Sequence, residues 1–168
     1  MACNNTMIRL LILLAESQTR ASRHAQTPLV AFSASLSNHL TSLGTGQNLR
    51  FDTVITNVGN GYSPIQGTFT APVAGMYVFS TTLLSHANHN DHFQLVHNGN
   101  LVYRLYVGGG GSHNYDTTGS SVAIQLQQGD TVSVQNLDVN EAVWGDLYSM
   151  FTGYLLKASE GEETVVGK

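Results

Sequence analysis

Cysteine is all but missing from this 168-residue chain: Cys3 stands alone. No internal disulfide can form, so stability must come from the size of an apolar core or from association between chains, and Cys3 could at most link two of them. Charge is scarce as well, at 11% of residues, and between Pro28 and Lys157 the only bases are Arg50, Arg104 and Lys157. Against them stand Asp52, Asp91, Asp116, Asp130, Asp138, Glu141 and Asp146, a net charge of −4 that argues against a nucleic-acid partner. The apolar run Met7 to Ala15 contains Arg9 and is too short to span a bilayer, which argues against membrane insertion. Neither a Gly-X-Y repeat nor a sustained heptad occurs, so no collagen stalk or long coiled coil lies within this chain. Also missing are Gly-x-Ser-x-Gly, His-Glu-x-x-His and Gly-x-x-x-x-Gly-Lys-Ser/Thr, and an enzyme is not expected. Gly108 to Ser112 is glycine-rich, yet it lies between two strand-like runs with no helix after it, which makes it a loop tip, not a phosphate cradle.

What is present is the composition of an all-β protein, with 17 Gly and 3 Pro among a body dense in Val, Thr, Tyr and Phe. The length suits one domain, and the chain divides into a leader (1–27), a globular domain (28–157) and a polar tail (158–168). The leader reads either as a secretory signal cleaved somewhere after Ala15 or as a short amphipathic helix. Strands are expected at Leu29–Leu36, Leu49–Val54, Gly67–Thr70, Gly75–Leu84, His92–His97, Leu101–Val107, Ser120–Leu126, Thr131–Gln135 and Met150–Leu156. Asn98-Gly99 marks a tight hairpin because both residues accept positive φ, and Gln127-Gln128-Gly129-Asp130 marks the next one. Many short strands at such spacing argue for a two-sheet jelly roll.

One block is especially patterned: Phe51, Asn57, Tyr62, Phe69, Gly75, Tyr77 and Phe79 recur at fixed separations between strand-like runs. Two later stretches join it, Leu126-Gln127-Gln128-Gly129-Asp130-Thr131-Val132 and Phe151-Thr152-Gly153-Tyr154-Leu155-Leu156. Together they resemble the signature of the complement C1q globular head family, within the tumour necrosis factor-like superfamily, over about Pro28 to Lys157. The family pattern departs at one position, where Thr81 replaces an expected aromatic. In lacking collagen, the chain is similar to the stalkless secreted C1q-domain proteins of invertebrates such as bivalves. The resemblance implies a ten-stranded two-sheet jelly-roll sandwich that assembles as a homotrimer. Phe51, Phe69, Tyr77, Phe79, Phe151 and Tyr154 are expected as core or trimer-interface aromatics.

The resemblance further implies a secreted pattern-recognition protein of innate immunity, lectin-like, binding microbial carbohydrate or lipopolysaccharide through loops. Loop residues with amide or aromatic side chains suit sugars, and the candidates are Asn88, Asn90, Asn114, Tyr115, Asn140, Trp144 and Tyr148, with Arg104 available for anionic lipid. The acidic balance of the body favours neutral glycans over lipopolysaccharide. No cofactor is required, although two metal sites come into question. Asp116 matches a calcium position implied by the family, but Val107 and Gly108 stand where its companion acid is expected. Histidines crowd one third of the chain (His86, His89, His92, His97 and His113), and His86, His89, Asp91 and His92 could hold zinc or copper or could simply be solvated loop residues. Two rival functions follow: a metal-handling or mineral-associated extracellular protein built on that cluster, and a cytokine or adhesion ligand that engages a receptor between subunits.

Overall fold

A computed structural model describes residues 7–16, 28–108 and 115–159. Residues 7–16 form a helix whose apolar side chains, from Met7 to Leu14, are all at least half exposed. No helix among the described residues is long and apolar enough to cross a membrane. Everything else is β-structure: β1 Ala31–Ser35, β2 Leu40–Leu43, β3 Thr53–Val58, β4 Tyr62–Ser63, β5 Thr68–Thr70, β6 Gly75–Ser85, β7 Asn90–His97, β8 Asn100–Gly108, β9 Thr117–Leu126, β10 Thr131–Asn136, β11 Glu141–Trp144 and β12 Met150–Ala158. They make a seven-stranded sheet in the order β2-β11-β6-β12-β1-β3, with β9 also paired to β6, and a five-stranded sheet in the order β4-β5-β10-β7-β8. All pairings are antiparallel.

The two-sheet sandwich is the one expected, with twelve strands among the described residues where ten were expected. Three of the twelve answer to none of the nine ranges expected individually, and they are short: β4 has two residues, and β2 and β11 have four each. The second expected strand is displaced to Thr53–Val58, and Leu49 and Phe51 are instead buried in an irregular stretch ahead of it.

Strict alternation builds the core. On β6 every odd residue from Gly75 to Ser85 is buried, which sends Tyr77, Phe79, Thr81 and Leu83 inward. Phe51, Phe69, Tyr77, Phe79 and Phe151 are fully buried, each contributing about 1.5–3 kcal/mol. Phe32, which the motif does not include, stacks at 4.7 Å on Tyr62 and at 5.2 Å on Phe69, joining the two sheets. Tyr154, expected in the core or at a trimer interface, is not in the core. It lies an odd number of residues from Phe151 and so points outward, 47% exposed.

The patterned block resolves into polar knots around this core. The Asn57 side chain pairs with the Tyr62 backbone in both directions, at 2.9 and 3.1 Å. The Tyr62 hydroxyl accepts from Phe51 N–H and donates to Phe51 C=O, both at 3.1 Å. Burial pushes the Tyr62 phenol far above its ordinary pKa. At Thr81, the Tyr103 hydroxyl arrives from the other sheet, donating to Thr81 Oγ1 at 3.3 Å.

At the strand ends of the five-stranded sheet, just before its central strand β10, Asp130 ties two turns together. Its carboxylate accepts from Asn98 Nδ2 (2.9 Å), Gln127 N–H (2.8 Å) and His97 Nε2 (3.0 Å). These bonds, that from Asn98 foremost, hold its pKa down to about 2. The stabilisation of a depressed carboxylate is present above its unfolded value of 3.8 and is lost as pH falls toward about 2. Asp130→Asn therefore lowers the thermal midpoint at neutral pH, and a series of melts at decreasing pH shows wild type and variant converging across that interval.

Candidate functional site

Three of the expected ligand-binding aromatics come together. Tyr115, Trp144 and Tyr148 line one open cleft of about 460 Å³ with Leu84, Thr117 and Asp146. Tyr115 precedes β9, Trp144 ends β11, and Asp146 and Tyr148 belong to the turn into β12. Tyr115 and Tyr148 are 50% and 60% exposed, whereas Trp144 is half-buried, so two rings stand at the rim and one is seated in the wall. Tyr115 meets Trp144 edge to face at 5.0 Å.

The wall behind Trp144 is histidine. His39 lies against the indole at 3.7 Å, and His86 approaches it at 5.2 Å. His39 Nδ1 accepts the Gly145 N–H at 2.9 Å, which fixes its proton on Nε2 and ties the turn after β11 to the stretch before β2. That turn is forced: Asp146 and Leu147 both have positive φ, at 53° and 64°, and neither is glycine. Ser149 Oγ donates to Trp144 C=O at 2.7 Å and accepts Leu84 N–H at 3.0 Å, locking the indole's backbone to β6.

The histidine run divides in two. His86, His89 and Asp91 stay together: the His86 and His89 rings are 5.4 Å apart, and His89 Nδ1 lies 3.5 Å from Asp91 Oδ1. Asp91 is buried, its Oδ1 accepts Ala142 N–H at 3.0 Å, and its Oδ2 has no hydrogen-bond partner. Desolvation pushes its pKa up, opposed by the Ala142 bond and the neighbouring histidines. His92, next along β7, points outward instead, with its ring 5.2 Å from Tyr106 and Nδ1 3.9 Å from Asp138. It approaches Asp138 and Glu141 in the one cluster of three adjacent metal-ligating groups among the described residues. Glu141, however, is consumed structurally: its carboxylate accepts the N–H groups of His92, Leu137 and Asp138. His97 belongs to the Asp130 clamp.

The remaining candidates lie elsewhere. Asn88 and Asn140 occupy left-handed turn positions, at φ 64° and 63°, where their backbone tolerance accounts for them. Asn90 begins β7 opposite Gly108, and Arg104 is exposed mid-strand in β8 opposite Gln94; neither lines the cleft. Asp116 is exposed, with its backbone paired to Ser85, and belongs to no cluster of three metal-ligating groups among the described residues. Asn114 and His113 fall outside the described residues. Sequence reasoning missed His39 and Asp146. His39 is 105 positions from Trp144 and follows no local pattern, whereas Asp146-Leu147 carries no Gly or Asn to signal its left-handed turn.

Comparison with known proteins gives one consistent result. The C1q domain family profile matches residues 31–156. The chain is 34% identical over 136 residues to complement C1q tumor necrosis factor-related protein 3 of Mus musculus, covering 76% of this chain and 51% of that protein. It is 33% identical over 140 residues to a polypeptide of the complement C1q subcomponent of Rattus norvegicus, covering 77% and 52% respectively. The chain thus spans about half the length of the curated relatives it matches. Among solved structures, the globular domain of zebrafish complement 1qA superposes with a TM-score of 0.62 at 18% identity, covering 78% of this chain and 99% of that one. The Eiger TNF of S. frugiperda also gives 0.62, at 14% identity, covering 81% and 98%.

Gly145 is the sensitive point of the site. A Cβ there would lie 2.1 Å from Asn38 O, a backbone atom that cannot step aside. Gly145→Ala should cost about 1–3 kcal/mol and loosen the His39 contact, read as a lower melting midpoint with a red shift of Trp144 emission.

Proposed function

The chain belongs to the C1q domain family, and from that premise we propose that it is an extracellular recognition protein whose aromatic cleft binds neutral glycans of microbial surfaces. It is not an enzyme: C1q-domain proteins act as ligands, without catalysis. The observation that carries the reading is the convergence of Tyr115, Trp144 and Tyr148 on one cleft beside Asp146 and Thr117. Binding clefts are mostly apolar walls with a few placed polar groups. Aromatic faces accept the C–H side of a sugar ring, while the Asp146 carboxylate and the Thr117 hydroxyl suit its hydroxyls. The same carboxylate disfavours an anionic ligand, and Arg104, which would favour one, does not line the cleft. Neutral hexose polymers therefore suit the site better than lipopolysaccharide.

A homotrimer belongs to the same proposal. The outer face of the seven-stranded sheet supports it: small residues of β1, β3 and β12 (Ala31, Ser33, Thr56 and Thr152) border a hollow of about 420 Å³ beside Tyr154. Val54, Val58 and Leu156 are exposed near it. Three weak cleft sites on one particle would raise avidity by about 10²–10⁴. Tyr154→Glu should then give monomers in light scattering while keeping the β-rich circular dichroism spectrum; an unchanged particle mass would place the contact elsewhere.

The glycan reading is tested on an array of microbial glycans in the presence of a chelator. Wild type should bind neutral hexose glycans, Trp144→Ala should bind at least about tenfold more weakly, a loss of about 1.4 kcal/mol, and Arg104→Ala should match wild type. Equal binding by Trp144→Ala, or binding to host cells alone, would overturn it.

A further inference from the structure

The turn that carries His86 and His89, behind the wall of the aromatic cleft, has the features of a metal chelate. His89 N–H donates to His86 C=O at 3.1 Å, and Asn88 closes the turn with φ 64°. The two imidazoles are thereby brought to 5.4 Å between ring centres at 79°. Both Nδ1 atoms face acceptors: His86 Nδ1 lies 3.4 Å from Ala87 C=O and His89 Nδ1 3.5 Å from Asp91 Oδ1. With the proton on Nδ1, each ring would have its Nε2 lone pair available. This is the arrangement found around metal-bound histidine, where a carbonyl or carboxylate behind the ring fixes the tautomer and raises ligand basicity.

Asp91 supplies the second, independent observation. The residue is 2% exposed and its Oδ2 has no hydrogen-bond partner, so a negative charge is buried with only part of its compensation. A cation on His89 Nε2, felt through the imidazole, would supply the rest. The His89 side chain is 38% exposed, which leaves a hydrated ion a path to it. His39 is unsuited as a third ligand because its Nδ1 already accepts from Gly145 and its Nε2 carries the proton. His92 is unsuited because it projects from the other side of β7, toward Tyr106 and Asp138.

We propose that His86 and His89 bind a divalent transition metal through their Nε2 atoms, with Asp91 as the positioning carboxylate behind His89. Two imidazoles with the other positions left to water suit copper, nickel or zinc, and offer little to calcium, which needs six to eight oxygens. The site abuts the cleft, since His86 is 5.2 Å from Trp144, but it stands whether or not a glycan binds there.

Trp144 is the sole tryptophan of the chain, so its fluorescence reports on the site directly. Nickel(II) or copper(II) is titrated into the untagged full chain at pH 7.5, without glycan, and then removed with EDTA, which outcompetes a site of two imidazoles. Saturable quenching that EDTA reverses is expected. His89→Gln should abolish the saturable phase, Asp91→Asn should raise the half-quenching concentration about 10–100-fold, and His92→Ala should behave as wild type. Circular dichroism melts identify any variant that fails to fold, and the surface change His89→Gln decides the matter if Asp91→Asn does. Unsaturable quenching, an unaltered titration in His89→Gln, or equal loss in His92→Ala would overturn the proposal.

Discussion

The fold turns on a hydrogen atom at position 153. A Cβ at Gly153 would stand 2.5 Å from Phe79 and 2.7 Å from Phe32, so only glycine lets those rings close over β12. Phe32 then reaches Tyr62 and Phe69 of the five-stranded sheet, and Phe151 packs against Phe32 and Phe79 from the same side. Tyr62 is held in turn by Phe51 and Asn57. One aromatic layer therefore fixes the spacing of both sheets, without any disulfide to assist it.

Strand ends inherit that rigidity. The cleft lies where β6, β9 and β11 approach their termini, and its half-buried indole is backed by histidine and anchored through Ser149. The surrounding backbone is less comfortable, with consecutive left-handed residues at 146 and 147 and a buried carboxylate only part-satisfied at Asp91. Unfavourable local conformations persist where the rest of the structure over-determines them, and they concentrate at functional sites. Here both features lie within one or two side chains of Trp144.

How much of this could be read from sequence depends on the range of the pattern. The core aromatics were legible because β alternation and the turns between strands are local, and the same period decides between core and interface for Tyr154, three residues after Phe151, by sending it outward. Tyr115, Trp144 and Tyr148 were legible as residues suited to sugars, but their meeting was not, since it is set by how the approach to β9 and the β11–β12 turn lie beside each other. The histidine run misleads in the same way. Strand geometry separates His92 from Asp91, its immediate neighbour, while bringing His39 to Trp144 from far away in sequence. Glu141 enters the sequence reading only as one acid in the charge balance, because nothing local shows that three backbone N–H groups converge on it.

Thr81 has a consequence for how the sequence can change over time. The family pattern places an aromatic there, and in this chain the inward-facing threonine is fully enclosed and receives the hydroxyl of Tyr103 from the opposite sheet. The ring absent from one layer is thus contributed by the other. Close-packed interiors leave no room for both, so positions 81 and 103 form an epistatic pair. An aromatic introduced at 81 would therefore require a smaller residue at 103, and either change alone would leave the layer overfilled or hollow.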